Sequence, residues 1–142
     1  MRIKKMATEM TPQILLIDDD ASNNLISKLI LKKVIPEAQI ISYTDPEAGV
    51  KYLRAELTEN LQPVTLMLDI NMPVLNGWDV LELTKDFPEE IKKLLTVYIV
   101  SSSVDPVDKE KAALSPLVKF YIEKPFSIPF LQTIFNKIPA IN

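Results

Sequence analysis

Asp69 closes the apolar run Val64-Thr65-Leu66-Met67-Leu68, and Ile70-Asn71-Met72-Pro73 comes next, with Asn76-Gly77 shortly after. A carboxylate at the carboxyl end of a buried strand sits where open α/β sheets place their ligands. Three other apolar runs end in groups that could act with it. Ile14-Leu15-Leu16-Ile17 runs into Asp18-Asp19-Asp20, Val97-Tyr98-Ile99-Val100 into Ser101-Ser102-Ser103, and Phe120-Tyr121-Ile122 towards Lys124-Pro125. If these strands are parallel and adjacent, one crevice collects an acid cluster, a lone Asp, a hydroxyl and an ammonium. Phosphoryl transfer to an oxygen needs such a set: a nucleophile in line, a cation on the equatorial oxygens and a positive group that balances charge. Mg²⁺ takes one or two carboxylates, waters and the substrate's own phosphate oxygens, which Asp18, Asp19 and Asp69 fit; Mn²⁺ is the expected substitute. Three carboxylates this close raise one another's pKa unless a cation is bound. Lys124 can reach an anion, and Ser101 can donate to a phosphoryl oxygen.

The elements that must position these groups are legible in the hydrophobic pattern. Short β-branched-rich runs at 13–17, 38–43, 64–68, 96–100 and 118–122 lack strict alternation, as strands do in a sheet covered on both faces. Helical spacing lies between them. Leu25, Ile26, Leu29, Ile30 and Val34 form one apolar stripe, capped by Asp20 or Ser22. Asp45-Pro46-Glu47 opens a second helix with Pro in its first turn, and Ala48, Val50, Leu53 and Leu57 form its apolar side. Gly77 precedes a third, with Val80, Leu81 and Leu83; Asp105-Pro106 opens a fourth. Ser127 caps a fifth, with Phe130, Leu131, Ile134, Phe135 and Ile138 on its inner face. Five strands alternating with five helices make a doubly wound parallel sheet, a single α/β domain over residues 13–142 behind a flexible leader at 1–12.

Composition narrows the chemistry. The chain has 142 residues, no Cys and no His. Disulfides, thiolate metal sites, Ser-His-Asp triads and a phosphohistidine on this chain are therefore out. A net charge of −3 gives no electrostatic reason to expect nucleic acid or an anionic membrane as partner. No apolar run approaches the ~20 residues of a membrane span, and the basic start Met1-Arg2-Ile3-Lys4-Lys5 lacks the hydrophobic core of a signal peptide. A cytoplasmic location is the expectation.

Four motifs in this order carry a resemblance: Ile17-Asp18-Asp19, Leu68-Asp69-Ile70-Asn71-Met72-Pro73 with Gly77, Val100-Ser101-Ser102, and Tyr121 with Lys124-Pro125-Phe126. The chain resembles a response-regulator receiver domain of the single-domain, chemotaxis type, over almost its whole length. The resemblance implies a flavodoxin-like sheet of order 2-1-3-4-5 and a phosphorylation-dependent switch of a two-component phosphorelay. It implies Asp69 as phosphoacceptor, with Asp18, Asp19 and the Asn71 backbone carbonyl organising Mg²⁺. Ser101 and Lys124 would hold the phosphoryl group, Tyr121 would change rotamer with Ser101, and Lys124-Pro125 would be a cis peptide. The donor would be a histidine kinase or histidine phosphotransfer protein. The signal would leave through the 105–138 face, to an unknown downstream protein or to a second copy in a phosphorylation-dependent homodimer. Asn71 and Ser103 would tune the phosphoryl lifetime. Ser101 replaces the more frequent Thr, and Asn76 the usual Asp before Gly77.

Two other classes compete. Asp18-x-Asp20 after a hydrophobic strand resembles the first motif of aspartate-nucleophile phosphatases of the haloacid-dehalogenase type. That reading lacks a later acid pair and leaves Asp69-Ile70-Asn71-Met72-Pro73 unexplained. A phosphorylation-independent scaffold usually lacks part of the site, and this chain lacks none. Taken singly the residues have ordinary roles: Asp20 as a helix cap, Lys124 as a surface lysine, Tyr121 as a half-buried ring, Trp78 and Phe87 as packing.

Overall fold

The computed structural model describes residues 12–135; apart from Pro12, the expected leader lies outside the described residues, as does Ile138. The apolar runs form β1 (Gln13–Ile17), β2 (Gln39–Tyr43), β3 (Val64–Leu68), β4 (Leu95–Ser101) and β5 (Val118–Glu123). All pair in parallel in the order β2-β1-β3-β4-β5. The crossovers are α1 (Ala21–Val34), α2 (Pro46–Thr58), α3 (Gly77–Leu83), α4 (Glu89–Lys92), α5 (Pro106–Leu114) and α6 (Ile128–Phe135). Among the described residues this is six helices rather than the expected five. The addition, α4, is a single turn in which the Ile91 and Lys92 amides donate to the Pro88 carbonyl. It is too short to show a helical period.

Successive side chains of a strand point to opposite faces, and the core divides accordingly. Leu15, Ile17, Leu66, Leu68, Val97 and Ile99 pack with α2, α3 and α5 on one face. Ile14, Leu16, Met67, Tyr98, Val100 and Ile122 pack with α1 and α6 on the other. Every residue of β1 is buried, which explains why its sequence shows no alternation. The edge strands β2 and β5 are more exposed.

The face of α1 corrects the sequence expectation. Its buried residues are Asn24, Leu31 and Val34, while Leu25, Ile26 and Leu29 are each more than half exposed. Asn24 faces inward because its amide donates to the Asp18 carbonyl at 3.0 Å. That bond rotates the helix away from the orientation its apolar residues alone suggest. Smaller departures occur on β5, α6 and α3. Phe120, which alternation with Tyr121 predicts to face the core, is 43% exposed although it touches Tyr98; Phe130 is 39% exposed, and Leu83 of α3 lies at the surface.

Candidate functional site

Strand register brings the chemistry together. Ile17 pairs with Leu68, and Leu68 with Ile99, so β1 and β3 end level and β4 runs two residues further. The hydrogen-bond ladder continues into the site. The Asp69 amide donates to the Ile17 carbonyl at 3.0 Å, the Asp18 amide to Tyr43 at 3.2 Å, and the Lys124 amide to Ser101 at 2.9 Å. Each of these three residues is thus fixed by a backbone bond to a neighbouring strand. The Lys124–Pro125 peptide is cis, as expected.

Asp18, Asp19 and Asp69 each offer a carboxylate oxygen, and these lie within 4.8 Å of one another. Asp18 and Asp69 are buried, whereas Asp19 is exposed. Asp69 Oδ1 accepts the Asn71 amide at 3.1 Å. Its Oδ2 faces the Lys124 ammonium at 3.9 Å, which also donates to Asp18 Oδ2 at 2.9 Å. Asp18 Oδ1 accepts the Asp20 amide. Burial pushes the Asp69 pKa above the ordinary carboxylate value; the Asn71 amide and Lys124 oppose this, while Asp18 and Asp19 add to it. Three acids facing one ammonium fit a hard divalent cation, which takes oxygen ligands and cancels their repulsion. Among the described residues Asp19 accepts no hydrogen bond and forms no ion pair, so its carboxylate is free for such a cation.

Gly77 holds the next element against this cluster. A Cβ there would sit 2.7 Å from the Asp69 carbonyl oxygen and from Ile70 Cα and Cγ2. The helix can approach the strand that ends at Asp69 only without a side chain at that position. Asn76 caps α3 in a reciprocal capping box with Asp79, so Asn in place of Asp leaves the turn intact. In the intervening loop Val74 has φ 67°, a left-handed conformation costly for a β-branched residue.

The opposite wall of the crevice belongs to β4 and the loop after it. Ser101 is fully buried. Its Oγ accepts from the Asn71 side-chain amide at 3.2 Å and from the Ser103 backbone amide at 3.0 Å. Half-buried Tyr121 donates its hydroxyl to the Ser103 carbonyl at 3.0 Å. Ser103 in turn donates from Oγ to Asp108 Oδ2 at 2.8 Å, and Asp108 Oδ1 accepts the Trp78 indole N–H at 3.3 Å.

The family profile described as "Response regulator receiver domain" matches residues 14–136. The chain belongs to the response regulator receiver domains. A two-component response regulator from Cytophaga hutchinsonii is 32% identical, with a TM-score of 0.80 over 92% of this chain and 98% of that one. A response regulator receiver protein from Dyadobacter fermentans is 22% identical, with a TM-score of 0.78 over 89% and 97%. The Vibrio cholerae chemotaxis protein CheY4 shares the fold at 16% identity, with a TM-score of 0.69 over 90% and 98%. No match was found among curated proteins. Sheet order, acid cluster and family therefore agree for this receiver domain.

The structure brings together Asp18, Asp19, Asp69, Asn71, Ser101 and Lys124, all predicted from sequence. Asp20 is a cap: its Oδ1 accepts the Ser22 and Asn23 amides. Ser127 caps α6 through the Phe130 amide. Sequence reasoning missed Asn24, whose amide also reaches the Tyr43 carbonyl at 3.4 Å, and it missed Asp108. For Asn24 the signal was a polar residue inside an apolar helical stripe. Asp108 gave no signal for its bond to Trp78, thirty residues away on α3, although Ser103 stands only five residues before it. Among the described residues no helix is long and apolar enough to cross a membrane.

Proposed function

We propose that this receiver domain accepts a phosphoryl group on Asp69 from the phosphohistidine of a kinase or phosphotransfer protein. The observation that carries the proposal is the convergence of three carboxylates within 4.8 Å beside Lys124. The Asn71 amide anchors Asp69 Oδ1, which leaves Oδ2 as the attacking oxygen. The P–N bond to histidine breaks as the P–O bond to Asp69 forms, and the imidazole leaves with its electron pair. Asp18, Asp19, Asp69 and the Asn71 carbonyl would hold Mg²⁺, with Mn²⁺ as substitute; the cation supplies charge neutralisation on the phosphoryl oxygens. Lys124 exchanges its contact with Asp18 for a phosphoryl oxygen, and the Ser101 hydroxyl donates to another. Water in line with the Asp69–phosphorus bond later returns the carboxylate. The chain catalyses only its own transfer and hydrolysis.

The occupied hydrogen bonds of Asp18 and Asp20 speak against the phosphatase reading, in which Asp18 is the nucleophile. Asp18 is held on both oxygens, and Asp20 is committed to the helix cap. The signal leaves through the face of α5, β5 and α6. Val107, Phe120 and Phe130 are exposed there beside Tyr121, a surface suited to a downstream protein or a second copy. The domain is expected to work in the cytoplasm.

The test is incubation with acetyl phosphate and Mg²⁺, followed by intact mass and peptide mapping. An adduct on Asp69 that disappears in Asp69→Asn and persists in Asp20→Asn is the expected result. An adduct on Asp18 would assign the chain to phosphatase chemistry.

A further inference from the structure

A second surface is tied to Ser101. Between α3, α4 and the end of α5 lies a groove of about 810 Å³, lined on its apolar side by Trp78, Leu81, Leu114 and Leu117. Leu114 is 81% exposed on its rim. Four lysines and two glutamates line it, Lys85, Lys92, Lys93 and Lys111 against Glu82 and Glu89. Each glutamate is already paired, Glu82 with Lys85 at 2.9 Å and Glu89 with Lys92 at 3.5 Å. Among the described residues Lys93 and Lys111 have no carboxylate partner. Lys111 instead sits 5.2 Å above the Trp78 ring. The groove is thus a positive, apolar trough on a chain whose net charge is −3.

Its wall is wired to the crevice by single hydrogen bonds. Ser101 Oγ holds the Ser103 amide, Ser103 Oγ holds Asp108, and Asp108 holds the Trp78 indole. Drawing Ser101 towards a phosphoryl oxygen on Asp69 pulls Ser103 away from Asp108. An Asp108 carboxylate no longer held by Ser103 would be able to turn away from the Trp78 indole, which would change how that ring is seated in the groove wall.

We infer that this groove docks an acidic, apolar-bearing peptide segment of a partner protein, and that phosphorylation of Asp69 weakens the docking through Ser103, Asp108 and Trp78. The inference rests on the proposed role of Asp69 and Ser101. It adds a surface that favours the arrangement before phosphorylation, opposite in sense to the α5-β5-α6 face. Charge complementarity sets the partner's chemistry: Lys93 and Lys111 are available to carboxylates, and the Trp78 and Leu114 side chains to apolar anchors. By linkage, an occupant of the groove should disfavour phosphoryl retention.

The probe is a short synthetic peptide alternating Glu with Leu and Phe, with a Lys-for-Glu counterpart as control. Binding to the full chain is read from fluorescence of Trp78, the single tryptophan, and from amide chemical shifts. Beryllofluoride stands in for the phosphoryl group, and its occupancy at Asp69 is read independently by fluorine NMR. The acidic peptide should shift Trp78, Leu81 and Leu114, and the basic one should not. Lys93→Glu with Lys111→Glu should weaken binding about ten-fold, and added salt should weaken it in the unsubstituted chain. Beryllofluoride should lower affinity about five-fold or more, and Ser103→Ala should abolish that difference. Equal binding of both peptides, indifference to the charge reversals, or unchanged affinity with beryllofluoride seated at Asp69 would each overturn the inference. So would self-association of the chain through the groove that the peptide cannot displace. Absence of a fluorine signal at Asp69 would instead count against the Asp69 reading, and the charge reversals would then decide the groove alone.

Discussion

The two walls of the crevice are built differently. Asp18, Asp69 and Lys124 are pinned by backbone bonds that extend the sheet ladder, and Asp18 and Asp69 stand over strands with no exposed residue. Ser101 begins its wall from an equally buried position, but the loop after it is held by single side-chain bonds: Ser103 to Asp108, Asp108 to Trp78, and Tyr121 to Ser103. Charges that must meet a phosphoryl group in fixed geometry need the first construction, because misplacement costs rate steeply. A segment that must adopt two arrangements needs the second, because each bond contributes little and can be exchanged. On the proposed function, chemistry and signalling are divided between the two sides of one cleft.

That division predicts unequal costs. The largest belongs to Gly77→Ala. Alanine is favoured over glycine in a helix by about 1 kcal/mol, but its Cβ would clash at 2.7 Å with the Asp69 carbonyl and Ile70. The clash wins, and a net loss of about 2–3 kcal/mol is expected in urea unfolding. Lys124→Met comes next. It leaves Asp18 and Asp69 without their ammonium, and should cost about 1–3 kcal/mol, less than breaking a fully buried pair because Lys124 is partly exposed. Excess Mg²⁺ should recover part of that loss, which calorimetry with and without the ion can check.

On the other wall Ser103→Ala removes the bond to Asp108 and an acceptor for the Asp105 amide. It should cost only about 0.5–1.5 kcal/mol, with phosphoryl uptake still detectable by mass and its decay rate altered. A loss as large as that of Gly77→Ala would erase the distinction between the walls.

The smallest effect is a slope against pH. The folded chain holds the Asp69 proton more tightly than the unfolded chain, since the folded pKa is raised from 3.8. Stability from this group is therefore highest below 3.8 and falls as pH rises through the folded value. Asp69→Asn removes the penalty. Without Mg²⁺ the variant should melt above the parent at neutral pH, and the gap should close as pH drops to the unfolded value. A gap that widens on acidification would mean the carboxylate is stabilised by its surroundings rather than strained by them.

The fixed wall is more legible in the sequence than the movable one. Apolar runs that end in Asp18, Asp69 and Ser101, or just before Lys124, mark strands and the polar groups at their tips, and sheet pairing then sets the distances. The movable wall depends on contacts across segments. Ser103 stands five residues before Asp108 and meets it locally, but nothing local announces that Trp78 of α3 will reach the same carboxylate, because α5 has to dock beside α3 first. The orientation of α1 failed for a related reason. Leu25, Ile26 and Leu29 have the spacing of a buried stripe, yet the Asp18 carbonyl just past β1 takes the Asn24 amide as its partner, and a buried unpaired carbonyl is expensive enough to decide which face turns inward. Hydrophobic periodicity counts apolar residues and does not register such a demand.

The most direct test of the divided cleft is amide hydrogen exchange on the full chain, with and without beryllofluoride and Mg²⁺. The fixed wall should gain protection at the loops after Asp18, Asp69 and Lys124 through ligand binding alone. The movable wall should change along residues 102–108 and at Trp78 and Tyr121, and Ser101→Ala should suppress that second set while leaving the first. Changes confined to the loops at Asp18, Asp69 and Lys124 would contradict the account, because the phosphoryl site would then have no route to either surface.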